Sequence, residues 1–61
     1  MRYTLTIKTD NEAFGPSEWE RRVECARILQ KTAGRMLEGH DDLILRDVNG
    51  NEVGRLTLEE D

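Results

Sequence analysis

An Asn-Gly step at positions 49–50 stands between two short runs of strand-forming residues, and no other feature constrains this chain as strongly. Both residues tolerate the positive φ that a tight β-hairpin turn requires, so residues 43–48 and 52–58 are predicted to fold back on each other. A two-residue turn sets Leu45 opposite Gly54 and Leu43 opposite Leu56. It places Leu43, Leu45, Leu56 and Leu58 on one face. A three-residue loop with Gly50 as a bulge sets Leu45 opposite Val53 instead, and then a second irregularity at Gly54 must return Leu56 to that face. The simpler two-residue register is the expected one.

The chain opens on a second strand pattern. Over residues 2–9, Tyr3, Leu5 and Ile7 alternate with Thr4, Thr6 and Lys8, the period of a half-buried strand. Residues 10–16 read as a loop closed by Phe14-Gly15-Pro16, with Phe14 placed to fold over the start of the next element. Ser17 followed by Glu20 is a capping box, and helical period runs from there to Glu38, where Gly39 suits the left-handed residue that ends a helix. Trp19, Val23, Ala26, Leu29 or Gln30, Ala33, Met36 and Leu37 form one stripe, with Ile28 on its flank. The predicted architecture is therefore α+β, a single β-α-β-β domain over residues 1–61. It has a strand at 2–9, a helix at 17–38 and a hairpin at 43–58. One long helix covers one face of a three-stranded sheet. A right-handed crossover makes the first two strands parallel; they are either adjacent or separated by the third strand, and the second arrangement is the expected one. The closing Glu59-Glu60-Asp61 is expected to fray.

Size limits what such a domain can do. A chain of 61 residues buries only about 60% of its unfolded surface, and domains this small usually add a disulfide, a metal or a partner subunit. Cys25 is the only cysteine and His40 the only histidine, so neither an intrachain disulfide nor a four-ligand zinc site can form. Helix packing or a homodimer is the remaining support. No apolar run approaches the roughly 20 residues of a membrane span, and no signal peptide is readable. The unpaired thiol fits a reducing, cytoplasmic setting. Charge is lopsided: seven basic residues face six acidic ones over 1–40, but two face seven over 41–61. The net charge of −4 disfavours general binding to nucleic acid.

Residues that invite a chemical reading have simpler explanations. Cys25 and His40 lie most of a helix apart, which argues against a nucleophile–base pair. The stretch Asp47 to Glu52 has glycine in the fourth rather than the sixth position of a calcium loop, and Leu58 where the bidentate glutamate belongs. Asp41-Asp42 and the acidic tail read as solvated charge. No catalytic residue, cofactor or metal is expected. Two surfaces remain. In the expected register the open sheet face shows Ile44, Arg46, Val48, Val53 and Arg55 with Thr4, Thr6 and Thr57, a mixed patch fit for a protein partner or a second copy. Arg27, Lys31 and Arg35 recur at i, i+4 and i+8 as a basic ridge on the outer side of the helix, a weaker candidate for phosphate contact. Ion pairs such as Glu24–Arg27 and Arg35–Glu38 absorb part of that field.

The opening Met-Arg-Tyr-Thr-Leu-Thr-Ile, the central Ala-Arg-Ile-Leu and the closing Leu-Arg-Asp-Val-Asn-Gly-Asn-Glu-Val-Gly-Arg-Leu resemble very short proteins of unknown function encoded by bacteriophages and prophages. The best-marked stretch, residues 45–56, is a hairpin motif and carries no site residues with it. The resemblance implies an accessory role without a defined reaction. The expectation is a non-catalytic modulator that binds a protein partner, interference with a host defence system being one concrete form. A small nucleic-acid-binding module is the alternative.

Overall fold

In the computed structural model, which describes residues 1–60, strand β1 (Arg2–Ile7) leads through a single 3₁₀ turn (Glu12–Phe14) into helix α1 (Glu18–Leu37). Strands β2 (Asp42–Arg46) and β3 (Glu52–Glu59) follow. The sheet order is β1-β3-β2 and both pairings are antiparallel, so the last strand fills the gap that the helical crossover leaves between the first two. The domain is α+β, with α1 packed over β2 and the 3₁₀ turn. Glu59 belongs to β3 and pairs with Arg2, its carboxylate 2.7 Å from the guanidinium, so the strand runs further than expected. Asp61 lies outside the described residues.

Both helix ends carry the anticipated caps. The Ser17 hydroxyl oxygen accepts from the Glu20 amide at 3.2 Å and donates to the Glu20 carboxylate at 3.1 Å. At the other end Gly39 has φ +102, and the amides of Gly39 and His40 return to the carbonyls of Met36 and Arg35. This doubled closure satisfies two carbonyls that the helix itself leaves unpaired.

The hairpin departs from the two-residue turn. Asp47 and Asn51 bracket a three-residue loop: the Gly50 amide donates to the Asp47 carbonyl, the Asp47 amide to the Asn51 carbonyl, and Gly50 sits at φ +86. This loop sets Arg46 opposite Glu52, yet Leu45 faces Gly54 and Leu43 faces Leu56. One extra residue, Val53, absorbs the shift as a β-bulge. The far register is the expected one, reached by the longer loop plus a second irregularity.

The bulge moves one proposed interface residue. Val53 was expected on the open face, but it turns inward and is 5% exposed, in one core with Phe14, Ile28, Leu45 and Leu56. Four apolar side chains and one bulge residue make a small core, and Ile7, Ala13, Cys25, Met36 and Leu43 surround it.

The helix also turns a different face to the sheet than its apolar stripe suggests. Its buried residues are Glu24, Ile28 and Thr32. Thr32 is satisfied by donating to the Ile28 carbonyl at 2.7 Å. Trp19, Val23, Leu29 and Leu37 are exposed, and so are Tyr3 and Leu5 on the half of the sheet that α1 does not cover.

Candidate functional site

The two surfaces singled out from the sequence meet in one place. A cleft of about 400 Å³ runs between α1 and the sheet edge formed by β2 and the hairpin loop. Arg27, Lys31 and Arg35 line its helix wall, because residues four apart on a helix share a face. They therefore face the sheet edge and not the outer side of the helix, as their spacing alone had placed them. Ile44, Arg46 and Val48 line the opposite wall. As the last strand on its side, β2 turns one row of backbone N–H and C=O groups away from β3, towards whatever approaches the edge.

The cations are held to different degrees. Arg27 is clamped: its Nε and one terminal nitrogen donate to the Glu24 carboxylate at 2.7 and 2.9 Å, and it also reaches the Arg46 carbonyl at 3.4 Å. Arg46 donates to the Gly50 carbonyl at 3.1 Å. Arg35 stands 3.8 Å from Glu38, a loose exposed pair worth little. Lys31 has no ion-pair partner among the described residues. Lys31 and Arg35 are thus the charges most available to a ligand, with Arg46 opposite them. Arg55, the remaining member of the proposed patch, is turned away and pairs with Asp42 at 3.0 Å across the open face.

No protein-family model, curated protein or solved structure matches the chain. What the cleft does must be read from its own chemistry. Among the described residues no cluster of three or more His, Cys, Asp or Glu side chains is placed to hold a metal ion. Among the same residues no helix is long and apolar enough to cross a membrane. Cys25 packs half-buried against the core while His40 follows the far end of α1, so the structure does not bring that pair together.

Two carboxylates that the sequence did not mark as important fix the shape of the cleft. Glu24 is 7% exposed and accepts from the Val48 amide at 2.8 Å as well as from Arg27, tying the helix to the hairpin loop. The Arg27 guanidinium holds its pKa below the ordinary glutamate range against the opposing effect of burial, and the Val48 amide adds to the lowering. Asp47 sits inside the loop, accepting from the amides of Asn49 and Asn51, both at 2.9 Å, and from the Asn11 side chain at 2.7 Å. Burial alone would raise its pKa. The donors of Asn51, Asn11 and Asn49 outweigh burial and lower it. Asp47 had a readable signal, since an aspartate two residues before a turn commonly bonds to the backbone ahead of it. For Glu24 the spacing announced the pair with Arg27 but not its burial, because the Val48 amide that it also accepts from lies on the other side of the fold.

Acid should loosen this arrangement. Both groups have folded-state pKa values below the unfolded values of about 4.3 for Glu and 3.9 for Asp, so the folded state binds fewer protons than the unfolded chain. Their contribution is present in full above about pH 5 and is lost as the pH falls through the depressed folded values. Thermal melts followed by circular dichroism should show a level Tm from neutral pH to about pH 5 and a decline below pH 4. The double variant Glu24→Gln/Asp47→Asn should start lower and decline less. A wild-type Tm unchanged down to pH 2 would show that neither carboxylate is coupled to folding.

Proposed function

We propose that this chain is a non-catalytic interaction module that takes an acidic, extended segment of a protein partner into the cleft between α1 and β2. The observation that carries this reading is the meeting of Lys31, Arg35 and Arg46 with an uncovered strand edge, in a protein whose net charge is −4 overall. An extended peptide can add to a sheet edge through main-chain hydrogen bonds, and its alternate side chains then point to one side. Here that side holds cations, which selects carboxylates. Steering by opposite charge raises the association rate and rejects basic segments. The surrounding acidic surface keeps long polyanions at a distance, which favours a short acidic segment over a nucleic-acid strand. The resemblance to short phage and prophage proteins supports reading such a module as an accessory factor, with a host protein as the partner to seek.

Fluorescence anisotropy with three labelled probes tests the reading. They are a ten-residue peptide alternating glutamate and valine, its lysine–valine counterpart, and a single-stranded oligonucleotide of similar length. The acidic peptide should bind, weaken as salt rises, and lose at least tenfold in affinity in Lys31→Gln/Arg35→Gln. The basic peptide should not bind. Preferential binding of the oligonucleotide through the same two residues would move the reading to a nucleic-acid module. Equal, weak binding of all three probes would remove the cleft as a site.

A further inference from the structure

Helix α1 turns Glu24, Ile28 and Thr32 inward and leaves a second, apolar face on its opposite side. Trp19 is 71% exposed there and Leu37 91%, with Val23 half exposed and Ala26, Gln30 and Ala33 also open to solvent. Positions 19, 23, 26, 30, 33 and 37 are separated by alternating steps of four and three residues. That is the spacing of a coiled-coil seam, which keeps one line of residues facing a partner helix. The helix of this chain has no such partner within its own fold. Gly34 borders the seam, and a Cβ there would meet nothing in the chain, so its absence serves no contact within the monomer although glycine weakens a helix.

The molecule as a whole carries more surface than a chain of its mass needs. Its accessible area is 4587 Å², where a compact 7.1 kDa monomer would expose roughly 4,100 Å². Its radius of gyration is 12.1 Å, against roughly 10.5 Å for a compact domain of this length.

We propose that the outer face of α1 docks a second copy of this chain, as an antiparallel helix pair about a two-fold axis at the level of Ile28. The seam is complementary to itself in that arrangement. Trp19 meets the partner's Leu37, Val23 meets the partner's Ala33, and Ala26 meets the partner's Gln30. The same contacts recur on the other side of the axis, as an isologous interface requires. Large residues thereby face smaller ones in each layer. A parallel pair would stack Trp19 on its own copy and Ala26 and Ala33 on theirs, crowding one end and leaving gaps in the middle. Leu29, on one flank near the axis, meets the partner's Leu29. Arg27, on the other flank, brings a guanidinium already neutralised by Glu24. Gly34 allows close approach at the level of the partner's Arg22.

The seam is about 27 Å long on a helix roughly 10 Å wide. With its flanks it buries on the order of 600 Å² per partner, the lower edge of the range for specific interfaces. Weak and transient pairs sit at that edge, so the dimer is expected to form and dissociate as concentration changes. The cleft beside β2 lies on the other flank of α1 and stays open in the dimer.

Size exclusion with light scattering from 1 µM to 1 mM tests the proposal on the intact chain. The mass should rise with concentration from the monomer value of 7.1 kDa to twice that. Ala26→Glu/Ala33→Glu alters two exposed seam positions and should keep the circular dichroism spectrum while weakening association at least a hundredfold. Ile44→Glu, on the sheet, should leave association unchanged. In a Cys25→Ala background, Ala26→Cys/Gln30→Cys should form intermolecular disulfides and Gln30→Cys alone should not. A monomer at every concentration overturns the proposal, as does a dimer that survives the seam variant. Cross-linking by Gln30→Cys alone would overturn the antiparallel arrangement.

Discussion

Gly54→Ala should leave most of the protein unfolded at 25 °C. Gly54 is the third residue of the central strand, opposite Ile7 on β1 and Leu45 on β2. Its φ is not positive, so its backbone conformation does not call for glycine. The constraint is space. A Cβ at this position would overlap the backbone carbonyl of Thr6 and press on the Cα of Ile7. A side chain could rotate out of the way, but a strand backbone can move only by giving up its pairing, and the Lys8 amide bonds to the Val53 carbonyl at 2.7 Å immediately alongside. Overpacking costs about 1–3 kcal/mol where side chains yield, and more where they cannot. A single core in a domain below about 70 residues supplies only about 3–5 kcal/mol in total. The substitution therefore removes most of the stability. Far-ultraviolet circular dichroism should show loss of the sheet and helix signals and no cooperative melt. Gly34→Ala is the control. It meets nothing within 4 Å, and in dilute solution it should stabilise the helix by up to about 1 kcal/mol. A Gly54→Ala protein that melts with the wild type would mean that β1 and β3 are not packed as closely as described.

Gly54 also shows where reading the sequence reaches its limit. The hairpin and both helix caps were legible, because each depends on local chemistry: Asn-Gly at the turn, Ser-x-x-Glu at one helix end and glycine at the other; the strand order was one of two that the crossover allowed. The far register was legible too, since Leu43, Leu45, Leu56 and Leu58 can share a face in only one way. The bulge at Val53 was legible only as the alternative to a simpler register, since a three-residue loop brings a second irregularity with it. It reconciles the loop geometry that Asp47, Asn49 and Gly50 prefer with the register that the leucines require, and the sequence alone does not show that the loop preference outweighs the simpler pairing. Val53 then becomes a core residue instead of a surface one. The apolar stripe on α1 misled for a related reason. Periodicity reports that a helix has an apolar face but not which neighbour covers it. Glu24 and Thr32 can be buried only because Arg27, the Val48 amide and the Ile28 carbonyl satisfy them, and the Val48 amide lies far away in sequence. Likewise the spacing of Arg27, Lys31 and Arg35 announced a basic ridge, while the strand edge that turns the ridge into a cleft depended on the sheet order.

Phe14→Ala should unfold the domain as completely as Gly54→Ala, by the opposite fault. Phe14 is 1% exposed and, with Leu56, one of the two largest fully buried side chains. It lies in neither the long helix nor a strand. A single 3₁₀ turn delivers it, capped by Asn11, whose side-chain oxygen accepts from the Ala13 amide at 3.1 Å while its side-chain nitrogen donates to Asp47 at 2.7 Å. One loop thus inserts its aromatic ring into the core and at the same time anchors to the hairpin turn. Truncating a buried phenylalanine costs about 3–5 kcal/mol, the lost transfer energy plus the cavity left behind. That matches the whole stability available to a core of this size. Gly15, which follows at φ +69 with Glu20 crowding the place of its missing side chain, fixes the path of the loop into α1. The loop therefore has little freedom to collapse into the cavity, which puts the cost at the upper end. Phe14→Leu keeps most of the volume and should lose only about 1 kcal/mol. Urea titrations should give a folded baseline for wild type and Phe14→Leu but none for Phe14→Ala. If the alanine variant keeps a transition midpoint close to the wild-type value, Phe14 is not a core residue and the core rests on Ile28, Leu45, Val53 and Leu56 alone.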